Sequence, residues 1–214
     1  MILVSKVCKK YNNNDILKNI TYKFQEGNIY GITGRNGCGK SVLFKIICGF
    51  EKPDSGTVFV DEEDIYKLHT YPKNTSALIE QPKFLLDYSG YENLKILASI
   101  NNIISDDEII ITLKKVGLYG EKDKKFKNYS VGMKEKLGIA QAIMENPKII
   151  ILDEPFSGLD DKSVLNLRKI LKEEKKQGKI IIISSHIKED IELLSDIILK
   201  IDNGSLYEVA KKKK

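Results

Sequence analysis

Asn28-Ile29-Tyr30-Gly31-Ile32-Thr33-Gly34-Arg35-Asn36-Gly37-Cys38-Gly39-Lys40-Ser41 is the stretch that decides the fold. Its first six residues read as a buried strand. The eight from Gly34 to Ser41 match the pattern G-x-x-x-x-G-K-[ST]. Glycines at these places let the backbone wrap an anion so that successive N–H groups point inward. Lys40 is placed to reach the outer phosphates of a nucleotide, and the Ser41 hydroxyl to hold Mg2+. A helix follows, ends at Gly49 and has Pro53 beyond it, the expected stop chemistry. Its positive N-terminal end adds to the attraction for phosphate. The pattern predicts an ATP-binding stretch of Gly34, Arg35, Asn36, Gly37, Cys38, Gly39, Lys40, Ser41 and Val42.

Upstream, Met1 to Lys6 reads as a strand, and Ile20, Tyr22 and Phe24 recur at period two before Gln25-Glu26-Gly27-Asn28 turns the chain. Downstream the character changes. From Tyr91 to about Met144 the pattern is helical: Ser105-Asp106-Asp107-Glu108 has capping-box spacing, Ile109, Leu113 and Val116 form one stripe, and Gly117 terminates it. Leu137, Ala140, Gln141 and Met144 recur at helical spacing further on. The last third returns to strands, with Ile149 to Leu152 and Ile180 to Ile183 as short β-branched runs suited to a parallel sheet covered on both faces. Asp202-Asn203-Gly204 reads as a tight hairpin turn. The fold class is α/β with a helical insertion.

Ile149-Ile150-Ile151-Leu152-Asp153-Glu154-Pro155 is the second chemical element. Its buried strand delivers two adjacent carboxylates to the sheet edge where ligands bind in such folds. One can serve Mg2+ and the next can activate a water. Composition agrees with one globular unit, or one core with an inserted subdomain. The 214 residues are 42% hydrophobic and 30% charged, which excludes a disordered chain. The longest aliphatic runs are far short of a membrane span and the start lacks a signal-peptide layout, so a soluble cytoplasmic protein is expected. Of the net charge of +5, four charges are Lys211 to Lys214, which leaves +1 for the rest and predicts no nucleic-acid groove. Cys8, Cys38 and Cys48 show neither metal spacing nor a disulfide framework. His69 matches nothing and reads as surface.

Taken with the acidic pair, the chain resembles the ATP-binding cassette ATPases, the motor subunits of ABC transporters. The resemblance spans essentially the whole sequence, with motifs in the family's order. Tyr11 fits the aromatic that stacks on adenine. Gln81, in Ile79-Glu80-Gln81-Pro82, fits the glutamine that begins the helical insertion. Tyr129-Ser130-Val131-Gly132-Met133 fits the signature loop, Ser157-Gly158-Leu159-Asp160 the D-loop, and His186 the histidine ending the next strand. The resemblance implies a P-loop NTPase (RecA-like) parallel-sheet core with an N-terminal antiparallel β subdomain and an inserted α-helical subdomain. Residues 1–81 and 146–214 then form the nucleotide-binding core, and 82–145 the insertion.

The same resemblance implies roles. Glu154 is the general base, His186 holds the γ-phosphate, and Lys40 completes the catalytic set; Ser41, Gln81 and Asp153 surround Mg2+. Two cassettes, alike or different, bind head to tail around two ATP, with Ser130 and Gly132 acting on the other subunit's nucleotide and Asp160 in the D-loop. Separate integral membrane permease subunits are the remaining partners, which places the protein on the cytoplasmic face of the membrane. The signature departs from the family at Val131, where glycine is usual, and at Met133, where glutamine is usual. The run from Tyr129 to Ala140, with Glu80-Gln81-Pro82 and Tyr91-Glu92-Asn93-Leu94, resembles the bacitracin and lantibiotic-type exporters of peptides and drugs. The competing expectation is a soluble regulatory cassette acting on nucleic acid or ribosomes. A single phosphate loop and the lack of a heptad run weigh against it.

Overall fold

In the computed structural model, which describes residues 1–212, every residue from Asn28 to Ile32 is buried, so strand β3 (Asn28–Thr33) is interior to its sheet. Lys213 and Lys214 of the lysine tail lie outside the described residues. Around β3 are β6 (Thr75–Leu78), β7 (Ile149–Leu152), β8 (Ile180–Ser184), β9 (Ile197–Asp202) and β10 (Ser205–Lys211), in the order β10-β9-β3-β8-β7-β6. All pair in parallel except β10, which folds back antiparallel on β9. The hairpin between them turns on Asn203 and Gly204, both at positive φ (49° and 82°), the two-residue turn that matches strand twist.

A second, antiparallel sheet comes from the N-terminal third: β1 (Ile2–Tyr11), β2 (Asn14–Phe24), β4 (Ser55–Val60) and β5 (Glu63–Asp64), in the order β2-β1-β4-β5. Between the two sheets lies α1 (Lys40–Ile47). The pleat of the large sheet divides the core. Tyr30, Ile32, Ile149, Ile151, Ile180 and Ile182 pack toward α1 and the small sheet, while Ile29, Ile150, Leu152, Ile181 and Ile183 pack toward the helices of the other layer. Each fully buried isoleucine contributes about 1.5–3 kcal/mol relative to exposure.

Between β6 and β7 run α2 (Gly90–Asn101), α3 (Asp106–Lys115), two short 3-10 turns and α4 (Val131–Ile143). The capping box at Ser105 and Glu108 forms, and a second one at Ser89 and Glu92 starts α2. Ile109, Leu113 and Val116 are buried together. A buried ionic cluster ties this insertion to α5 (Asp161–Lys176): Glu174 meets Lys115 at 2.5 Å and also pairs with Lys179. Burial opposes ionisation of Glu174, but the two lysines outweigh it and hold its carboxyl below the usual range. The last helix, α6 (Lys188–Leu194), connects β8 to β9.

Candidate active site

Parallel pairing sets Ile32 against Ser184 and Leu152 against Ile183, so the C-terminal ends of β3, β7 and β8 lie side by side. The residues that follow those ends therefore converge. After β3 comes the glycine loop. Gly39 caps α1 at φ 108°, a conformation strained for any side chain, and a Cβ there would also crowd β2, 3.0 Å from Leu17 and 3.2 Å from the Ile16 carbonyl. No side chain caps the helix, which leaves its first N–H groups for a ligand.

Lys40 is folded back into the loop, 6% exposed. Its ammonium donates to the carbonyls of Gly34 (3.0 Å) and Arg35 (3.4 Å) and stands 3.7 Å from Glu154 Oε1. The Ser41 hydroxyl donates to Asp153 Oδ2. Ser184 joins both carboxylate residues: its hydroxyl donates to Asp153 Oδ1 (2.5 Å) and accepts from the Glu154 backbone N–H (2.9 Å). Glu154 itself sits at φ 53°, a left-handed conformation disfavoured for its side chain, which occurs where surrounding structure imposes it. Its Oε2 accepts from the His186 backbone N–H (3.0 Å) and lies 2.7 Å from His186 Nδ1.

Gln81 is exposed and lines a cleft of about 390 Å³ with Ser41, Asp153, Glu154, Val131 and Glu135. The cleft thus joins the carboxylates to the start of α4. Ser130 caps that helix, its hydroxyl accepting from the Met133 N–H (3.3 Å). Val131 is 69% exposed and its side chain fills the space over Gly158, while Met133 packs partly buried against the helical core. Asp160 caps α5, accepting from the Ser163 N–H and hydroxyl at 2.9 Å each. Arg35, Asn36, Gly37 and Cys38 face a groove shared with Asp15, Ile16 and Lys18. Val42 is partly buried on α1. Tyr11 stands apart from these lining residues, its hydroxyl donating to Glu51 and Lys9 lying 5.6 Å from its ring centre. His69 is exposed.

Ser184, the link between the two carboxylate residues, was not singled out by the sequence reading. The available signal is a hydroxyl closing an all-isoleucine strand, a place where a core would otherwise continue. Glu135 was also passed over; desolvation pushes its carboxyl up to about 7.

Similarity to known proteins identifies the family. The sequence profile of the ABC transporter family matches residues 17–157. An uncharacterised ABC transporter ATP-binding protein of Bacillus subtilis is 42% identical over 206 residues, covering 96% of this chain and 94% of the relative. The bacitracin transport ATP-binding protein of Enterococcus faecalis is 38% identical, covering 97% of this chain and 68% of the relative. Among solved structures, the ATP-binding subunit of an ABC transporter superposes with a TM-score of 0.87 at 25% identity, covering 98% and 90% of the two chains.

Proposed function

This chain belongs to the ABC transporter family, and from that premise we propose that it is the ATP-hydrolysing subunit of an exporter for peptides, antibiotics or other small molecules. The observation that carries the reading is the junction of Lys40, Ser41, Asp153, Glu154, Ser184 and His186 at three adjacent strand ends. ATP is the substrate. The glycine loop and the uncapped start of α1 receive its phosphates, and Lys40 supplies positive charge beside them. Tyr11, 42% exposed at the end of β1, offers its ring face to the adenine.

Ser41, Asp153 and Gln81 present only oxygen donors suited to a hard cation, with a single carboxylate among them, the pattern by which Mg2+ is bound chiefly through phosphate and water. Held there, Mg2+ would supply positive charge against the developing phosphate charge. Glu154 takes the proton of the attacking water at its carboxylate, and His186 orients that carboxylate through Nδ1. Ser184 fixes Asp153 and the Glu154 backbone relative to one another.

Two exposed features call for partners. Ser130 and Gly132 begin α4 at the surface, and head-to-tail docking with a second cassette brings them to that cassette's nucleotide. Leu85, Leu86, Tyr88, Ile100 and Ile103 expose apolar side chains on or beside the insertion, a face for the cytoplasmic loops of a separate permease. No described helix is long and apolar enough to cross a membrane, so attachment runs through that permease.

Glu154→Gln tests the ATP-hydrolysing part of the reading. With saturating Mg·ATP the variant is expected to hydrolyse at least about 100-fold more slowly and to elute as an ATP-filled dimer in size-exclusion chromatography. A monomer with unchanged turnover overturns it.

A further inference from the structure

His186 is 57% exposed at its side chain, so packing does not hold its ring over Glu154. We propose that the buried pair of Arg168 and Asp190 positions His186, through the short helix that leaves it. The inference rests on the catalytic reading of His186 given above.

The turn from Ser185 to Ile187 is fixed at its start by Glu154, which accepts from the His186 N–H. At its end it enters α6, a helix of seven residues whose cap position, Ile187, makes no side-chain bond. So short a helix does not hold itself. One anchor is β3. A Cβ on Gly31 would lie 2.3 Å from Ser195 Oγ and 2.5 Å from Ile191, so α6 presses directly on the strand backbone there. That contact sets the distance of α6 from the sheet but not its rotation about the point of contact.

Rotation is set by the pair. Asp190 is the acid of α6 that faces inward, its side chain 6% exposed, while Lys188, Glu189 and Glu192 face solvent. Its Oδ1 accepts from the Nη2 of Arg168 on α5, itself only 17% exposed. This is one of two arginines among 35 basic residues; the other, Arg35, lies in the phosphate loop. A planar guanidinium constrains direction where a lysine supplies a mobile point charge. Since Asp160 caps α5, the pair joins the helix launched by the D-loop to the helix behind the histidine.

The test combines spectroscopy with kinetics. With 15N-histidine the protein gives signals from two residues only, His69 and His186. In nucleotide-free Asp190→Asn, the His186 ring nitrogens are expected to shift toward a free imidazole while exposed His69 stays put. In turnover, the same variant should lose about tenfold in kcat with ATP affinity within twofold. Added to His186→Ala, it should cost less than a further twofold, because both act through one group. Arg168→Lys, which keeps the charge but not the fork, should fall between and serves where Asp190→Asn does not fold. An unmoved His186 signal, a full tenfold loss in the His186→Ala background, or affinity falling in step with kcat each overturns the proposal. Should the wild type not hydrolyse ATP, the earlier reading fails by itself, and the spectra still decide whether the pair orients the imidazole.

Discussion

The phosphate loop before α1 and the signature loop before α4 end in helices that would meet the same kind of phosphate, yet they are built differently. Gly39 caps α1 with no side chain, and the site it opens is completed within the chain, with Lys40 buried and Glu154 beside it. Ser130 caps α4 with its own hydroxyl, and Val131 beside it is 69% exposed with no ligand-binding lysine or carboxylate pair of its own. What they share is an omission. The helices α2, α3, α5 and α6 all carry acids in the first turn, where the helix dipole favours them; α1 and α4 carry none. Ser89 and Ser105 each have a glutamate three residues on, whereas Ser130 has Met133. The proposed function would account for both gaps: one loop would hold an anion, and the other would approach one held by a second copy.

The largest effect expected is at the self-contained loop. Lys40→Ala should weaken ATP binding at least about 100-fold, roughly 2.7 kcal/mol, by titration calorimetry. Unchanged affinity would break the contrast, because the phosphate loop would then do no more in its own chain than the signature loop does.

Next in size is Glu135, the acid nearest the start of α4. Burial raises its carboxyl from the ordinary 4.5 to about 7, so the folded state prefers the protonated form. The stability tied to that form is present below 4.5 and is lost as pH rises through about 7. Glu135→Gln does not titrate. It should match the wild type in acid and exceed it by about 1–3 kcal/mol at pH 8 in urea unfolding. Equal stability at both pH values would show Glu135 to be solvated and charged like any surface acid.

The smallest effect on stability, and the sharpest on the comparison, belongs to Met133→Glu. It completes a capping box at Ser130 but gives up partly buried packing, so unfolding free energy should move by no more than about 1 kcal/mol. In a Glu154→Gln background, ATP-driven dimerisation should nonetheless weaken about tenfold, since the new acid cancels part of the positive end of the helix that the proposed function brings to the partner's phosphates. Undiminished dimers would mean that α4 does not point at a nucleotide.

Much of this was legible because it is local. Asn28 to Ser41 gives strand, loop and helix within one stretch, and Asp153 with Glu154 ends an all-apolar run. The capping box at Ser105 needs only residues three apart. What escaped depends on distant partners. Arg168 and Asp190 are 22 residues apart, Lys115 and Glu174 59 apart, and nothing in either neighbourhood marks them as pairs. Strand β6, Thr75–Leu78, is too short and mixed to announce itself, and becomes a strand because β7 pairs with it. Ser184 reads as the polite end of a strand until Asp153 and Glu154 are seen on either side of it.

The two oxygens of Glu154 face different ways, Oε1 toward Lys40 at 3.7 Å and Oε2 toward His186 at 2.7 Å. The carboxylate is therefore a counterion for a lysine that folding has already taken out of water. On the proposed function, a phosphate taken up by Lys40 would exchange one anion for another instead of stripping a cation of its hydration.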